Sequence, residues 1–259
     1  MKMSNTLETA RRIVVKVGSS SISGDREHQM AGLVEALAHW HGQGKEIVLV
    51  SSGAIATGAP FLNLSDRPQD LATQQAAAAV GQSLLMGRYQ KLLDQYSMMS
   101  AQVLLTVGDV ENEVHRTNAL RAMERLLGLR ILPIVNENDT VATQEIRFGD
   151  NDRLAALVAD FISADALVLL SDVDALYTHP PDDPLATRID VVAYQDQLEG
   201  VVLGQAMVNS VGTGGAVTKV SAARWATAAG IPTLLSATTA LGALVRGTPS
   251  GTWFEPAIN

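Results

Sequence analysis

Short apolar runs recur along this 259-residue chain, and the best defined of them end in polar clusters. Ile13–Val17, interrupted only by Lys16, leads into Gly18 and three serines. Ile47–Val50 leads into Ser51, Ser52 and Gly53, Ile131–Val135 into Asn136–Asp139, and Ala166–Leu170 into Ser171–Asp172. Met99–Thr106 and Ile231–Leu235 have the same character, and Gly251–Phe254 reads as a last edge strand. Strands apolar on both faces need cover on both sides, which a parallel sheet flanked by helices supplies.

The segments between them carry the helical period. Glu27–Trp40 places Met30, Leu33, Val34 and Leu37 at i, i+3, i+4 and i+7, with Gly42 and Gly44 to stop it. Pro68–Tyr96 reads as a long helical stretch with breaks offered at Gly81 or Gly87. Asn112–Leu127, Asp150–Ala164 and Ala216–Ala229 are further helices, Val141–Phe148 alternates as a short hairpin, and Pro180, Pro181 and Pro184 mark a loop. The fold class is therefore α/β, a three-layer αβα sandwich with a mainly parallel central sheet. One domain spans 1–259, with a soft division between a front lobe, about 1–161, and a back lobe, about 162–259. Aromatic residues are only 4% of the chain, so Val, Leu, Ile and Ala must fill the core.

Composition removes several chemistries. There is no cysteine, hence no disulfide framework, thiolate nucleophile or Cys–zinc site. The formal charge of −8 argues against a general nucleic-acid binder while allowing a small anion in a local pocket. Met1–Arg12 has no apolar signal segment, and the longest apolar stretches are too short to span a bilayer. A soluble cytoplasmic protein is expected. The five histidines include no His-Glu-x-x-His pair, so they read as surface residues and no metal site is assigned.

Open parallel sheets bind ligands beyond the carboxyl ends of their strands, where the polar clusters fall. Lys16 ends a strand, and its ammonium suits a phosphate oxygen; by itself it also reads as a strand-end lysine reaching solvent. Ser52-Gly53-Ala54 joins a strand to a helix and reads either as an anion site or as an ordinary serine cap. Gly212-Thr213-Gly214-Gly215 opens a helix bearing Lys219 one turn in, a phosphate loop or a glycine linker, and not a Walker A motif. Gly149-Asp150-Asn151-Asp152 is the densest polar run, with helix capping as its plainer reading.

Together and in this order, the clusters resemble the amino-acid kinase family. The matching segments are Val15–Ser20, Val50–Ala56, Pro133–Asp139, Phe148–Asp152, Ala175–Thr178 and Gly212–Lys219. The Asn136-Glu137-Asn138-Asp139 and Gly149-Asp150-Asn151-Asp152 pair is similar to the branch whose acceptor is the γ-carboxylate of glutamate. The resemblance covers essentially the whole chain. It departs at Ser171, where threonine is usual, at Ala175, where glycine is usual, and at His179–Pro184, where Asp-Pro-Arg is usual. Many members continue into a C-terminal PUA domain, which is not expected here.

The resemblance implies ATP-dependent phosphorylation of L-glutamate to L-glutamyl 5-phosphate, the first step of proline biosynthesis, with Mg²⁺. By motif, the glutamate side takes Ser52, Gly53, Asp139, Asp150 and Asn151. Lys16 and Lys219 form the phosphate clamp, and Asp152 orients them. The nucleotide side takes Ser171, Asp172 and the loop Thr213, Gly214, Gly215, Ala216, Val217, Thr218 and Lys219, together with Lys16. It also implies proline as a feedback inhibitor, a glutamyl-phosphate reductase as functional partner, and a homo-oligomer, dimer or tetramer. The competing expectations are kinases of N-acetylglutamate, aspartate or carbamate, against which the Gly-Asp-Asn-Asp run argues. A non-enzymatic amino-acid sensor would not need both lysines and Asp152. A dinucleotide oxidoreductase would need Gly-x-Gly-x-x-Gly after the first strand, where Gly18-Ser19-Ser20 stands.

Overall fold

The structure, a computed structural model, describes residues 6–22, 26, 28–62, 70–142, 151–203, 215–248 and 250–257. In chain order its elements are α1 (Thr6–Thr9), β1 (Arg12–Val17), α2 (Gln29–Gly42), β2 (Glu46–Ser51), α3 (Ala54–Gly58), α4 (Leu71–Leu93), β3 (Ser100–Leu105), α5 (Val107–Glu111), α6 (Glu113–Gly128) and β4 (Leu132–Glu137). There follow α7 (Asn151–Phe161), β5 (Ala166–Ser171), β6 (Leu176–Tyr177), β7 (Arg188–Ile189), β8 (Val191–Val192), α8 (Ala216–Ala228), β9 (Thr233–Ala237), α9 (Leu241–Val245) and β10 (Thr252–Phe254).

Eight strands form one sheet in the order β3-β4-β2-β1-β5-β9-β10-β8. The pairs from β3 through β9 are all parallel. The chain builds outward from β1 toward β3, then returns to β5 on the other side, so β1 stands at the switch in strand order where α/β sheets open a crevice.

Two core clusters lie on opposite faces of the sheet, and strand alternation sorts residues between them. Ile13, Val15 and Val17 pack with α2 and α4, whereas Val14 packs with α7 and α8. The same alternation divides Ile47 and Leu49 from Val48 and Val50, and Leu132 and Ile134 from Val135.

Several expectations need amending. The α4 helix runs unbroken through Gly81 and Gly87. Gly81 serves a close crossing instead: a Cβ there would lie 1.8 Å from the Ala54 carbonyl oxygen, and one on Gly58 would lie 1.9 Å from that of Ala77. The last strand, β10, is not an edge; it runs antiparallel to β9 and is flanked on its other side by β8. The short helix α5 was not legible: a capping box, Thr106 with Asp109, opens it, and Asn112, extended and serving as the cap of α6, ends it after five residues. The β6–β7 ribbon frames the proline loop at Pro180–Pro184. The hairpin expected at Val141–Phe148 lies almost wholly outside the described residues.

Candidate active site

Alternation along β1 puts Lys16 on the same face as Val14, toward α7 and α8. Asp152 is the second residue of α7, where an acid is favoured by the helix dipole. Lys219 is the fourth residue of α8, which packs on α7. The three side chains meet beneath the C-terminal edge of the sheet. Asp152 is wholly buried, and Lys16 and Lys219 are 2% and 6% exposed. Lys16 Nζ pairs with Asp152 Oδ1, and Lys219 Nζ stands 3.0 Å from Asp152 Oδ2. Thr218, placed by motif on the nucleotide loop, has its hydroxyl 3.1 Å from the same Oδ2 and 3.0 Å from the Gly215 carbonyl oxygen. Two buried ammonium groups thus share one buried carboxylate. Lys219 also lines a cavity at the end of β5, where an ammonium group suits a phosphate oxygen.

On one side of this centre, Ser52 follows β2 and Asn151 begins α7. Asn151 Nδ2 donates to Ser52 Oγ at 2.8 Å, which ties the two segments together. Asn151 Oδ1 is buried without a hydrogen-bond partner among the described residues. Gly53 has φ 110°, a left-handed conformation that lets the chain turn sharply from β2 into α3. Asp139 follows β4 in a half-buried turn. That turn is anchored by Asn138, whose N–H donates to the Leu105 carbonyl and whose carbonyl accepts from Val141 and Ala142.

On the other side, Ser171 ends β5 and Asp172 follows it. A cavity of about 340 Å³ opens there, walled by Ser171, Asp172, Tyr177, His179, Ala216 and Lys219 among others. Ser20 Oγ donates to Asp172 Oδ1 at 3.2 Å and Arg26 Nη1 to Oδ2 at 2.8 Å, so the segment after β1 is tied to the end of β5. Burial opposes ionisation of Asp172. The hydrogen bond and charge of Arg26, with help from Ser20 and its own backbone, outweigh it and hold the carboxyl below the ordinary range. Val217 is exposed beside the cavity and Gly215 caps α8. Asp150, Thr213 and Gly214 lie outside the described residues.

The sequence reading missed five contacts: Ser20 and Arg26 on Asp172, Thr218 on Asp152, Tyr89 on Ser51, and Gln82 on Asn136. The last two had a faint signal, since Gln82 and Tyr89 are polar positions seven residues apart in a helix whose buried side also carries Leu85 and Leu93. Among the described residues no group of three His, Cys, Asp or Glu side chains is arranged to hold a metal, and no helix is long and apolar enough to cross a membrane.

This cleft stands on a three-layer α/β fold, and the chain belongs to the amino acid kinase family, whose profile matches residues 11–235. Among curated relatives, the glutamate 5-kinase of Leifsonia xyli subsp. xyli is 66% identical over 97% of this chain and 93% of its own length. That of Clavibacter michiganensis subsp. michiganensis is 65% identical over 96% of each. The glutamate 5-kinase of Thermobifida fusca is 54% identical over 96% of this chain and 65% of its own length. Among solved structures, the carbamate kinase from Giardia lamblia bound to AMP-PNP matches with a TM-score of 0.67 at 16% identity, over 96% of this chain and 99% of that one. UMP kinase from Bacillus anthracis matches with a TM-score of 0.63 at 12% identity, over 96% and 97%. At those identities the likeness shows the fold alone.

Proposed function

We propose that this chain transfers the γ-phosphoryl group of ATP to the γ-carboxylate of L-glutamate, giving ADP and L-glutamyl 5-phosphate, the first step of proline biosynthesis. The observation that carries the chemistry is the pair of buried ammonium groups on the single carboxylate of Asp152. The likeness to glutamate 5-kinases over nearly the full chain carries the choice of acceptor.

A carboxylate is ionised at neutral pH, so the acceptor needs no general base. The bond from phosphorus to the β,γ-bridging oxygen breaks as a bond to the acceptor oxygen forms. The obstacle is repulsion between two anions, and the remedy is positioning and positive charge in a water-poor site. Lys16 covers the transferring group and Lys219 the leaving phosphate, with Asp152 holding both in register. Ser52, Gly53, Asp139, Asp150 and Asn151 form the glutamate side; an ammonium donor would satisfy the buried Asn151 Oδ1. Ser171, Asp172 and the segment Thr213–Lys219 form the nucleotide side. Asp152 is occupied by ammonium groups and Asp172 by Arg26, so these residues do not make a resident metal site. Mg²⁺ enters with the nucleotide as part of the MgATP substrate.

An acyl phosphate is labile toward water, so a reductase that consumes it promptly is the expected functional partner. Proline as an inhibitor at the glutamate side, a homo-oligomer and a cytoplasmic location complete the reading.

The test is glutamate-dependent ADP formation from MgATP with hydroxylamine present, which traps an acyl phosphate as a hydroxamate. N-acetylglutamate and aspartate run alongside. Hydroxamate with glutamate alone is expected. Turnover with another acid instead would move the error to Asp139, Asp150 and Asn151, and no turnover despite glutamate binding would make the chain a sensor.

A further inference from the structure

Helix α4 carries polar side chains into a layer otherwise filled by residues such as Leu85 and Leu93. Gln82 and Tyr89 are two turns apart and project from one face. Each meets the end of a strand at a position whose alternation faces α4. Tyr89 Oη lies 2.8 Å from Ser51 Oγ of β2, and Gln82 Oε1 accepts from Asn136 Nδ2 of β4 at 2.8 Å.

The orientation of Asn136 is fixed by its backbone. Its Oδ1 accepts the N–H of Glu137 at 2.9 Å, so only its Nδ2 is offered to the helix, and Gln82 must answer with oxygen. That leaves Gln82 Nε2 buried with no hydrogen-bond partner among the described residues. An orphaned buried donor costs stability. A methionine would fill the same space without that cost, so packing does not call for a glutamine here; Asn136 does.

We propose that Gln82 is a positioning residue for the acceptor side of the site. Its oxygen holds Asn136, Asn136 holds the last peptide of β4, and that peptide sets the direction in which Asn138 and Asp139 leave the sheet. The turn beyond is anchored through Asn138 on both its N–H and its carbonyl, so a shift at Asn136 passes to Asp139 rather than being absorbed. The nucleotide side lies across β1 and receives none of these contacts. This inference rests on reading Asp139 as a substrate-binding residue.

The experiment compares the whole chain with Gln82→Met, which removes the amide, and Gln82→Glu, which keeps an acceptor oxygen. The KM for glutamate, the KM for ATP and kcat are read by hydroxamate formation, with calorimetric binding of AMP-PNP as the check that the fold survives. Gln82→Met is expected to raise the glutamate KM about tenfold or more while the ATP KM stays within about twofold, with Gln82→Glu recovering most of the loss. A glutamate KM unchanged in Gln82→Met, equal rises in both KM values, loss of AMP-PNP binding, or no recovery in Gln82→Glu would each overturn the assignment. Parent turnover of glutamate is measured first, so a wrong acceptor shows in the parent enzyme and a wrong role for Gln82 only in the variants.

Discussion

Lys219 Nζ lies 3.0 Å from Oδ2 of a wholly buried Asp152, whose other oxygen faces Lys16. Removing the charge from Asp152 therefore leaves two buried ammonium groups without their shared counter-ion. Asp152→Asn is expected to lower kcat about a hundredfold or more. It is also expected to lower Tm on the order of 10 °C, because breaking a buried ion pair from one side is costly in a chain this size. Steady-state kinetics and thermal unfolding together check this; a fall in neither would remove Asp152 from the centre.

On the proposed function, each lysine acts on charge that develops during transfer. Lys16→Met and Lys219→Met are each expected to cost roughly 3–4 kcal/mol of barrier, seen in kcat rather than in the KM for glutamate. Near-parental kcat in either variant would sink the clamp reading.

Ser52 and Asn151 share one hydrogen bond between the end of β2 and the start of α7. Their alanine variants should therefore be non-additive. Each alone is expected to raise the glutamate KM about tenfold, and the double variant little further. A double-mutant cycle on KM measures the coupling, and simple additivity would mean that the two residues act separately.

Gly81 and Gly87 stand on the same helix and make opposite predictions. A Cβ at Gly81 would meet backbone of α3 at 1.8 Å, whereas one at Gly87 would meet nothing within 4 Å. Gly81→Ala should destabilise by about 1–3 kcal/mol or more. Gly87→Ala should stabilise by about 0.5–1 kcal/mol through the lower entropy of its unfolded chain. Denaturant titration of both variants decides, and equal effects would deny the close crossing.

The carboxyl of Asp172 sits below the ordinary carboxylate value because Arg26 and Ser20 outweigh its burial. A depressed acid contributes stability that is present above its unfolded pKa, about 3.9, and is lost as pH falls through the lower folded value. Arg26→Ala should raise the Asp172 pKa and move that loss to higher pH. An NMR titration of the carboxyl carbon reads it directly, and an unmoved pKa would mean that Arg26 is not its principal partner.

The sequence by itself determined the parallel α/β class, because runs such as Ile47–Val50 and Ala166–Leu170 are apolar on both faces and demand cover on both sides. It also placed polar clusters at strand ends, where a parallel sheet opens, and carried the family pattern from Lys16 to Lys219. Tertiary packing alone decided that Lys16 and Lys219, from opposite ends of the chain, converge on Asp152. Alternation chooses a face, but only the docking of α7 against α8 fixes a distance. Packing likewise kept α4 whole through Gly81, a residue that local propensity reads as a break and the crossing with α3 requires. It also put β10 inside the sheet, since a three-residue strand carries no record of its neighbours. The Gln82–Asn136 and Tyr89–Ser51 contacts were hidden for the same reason: the period of a helix shows which residues share a face and says nothing of which strand ends they will meet.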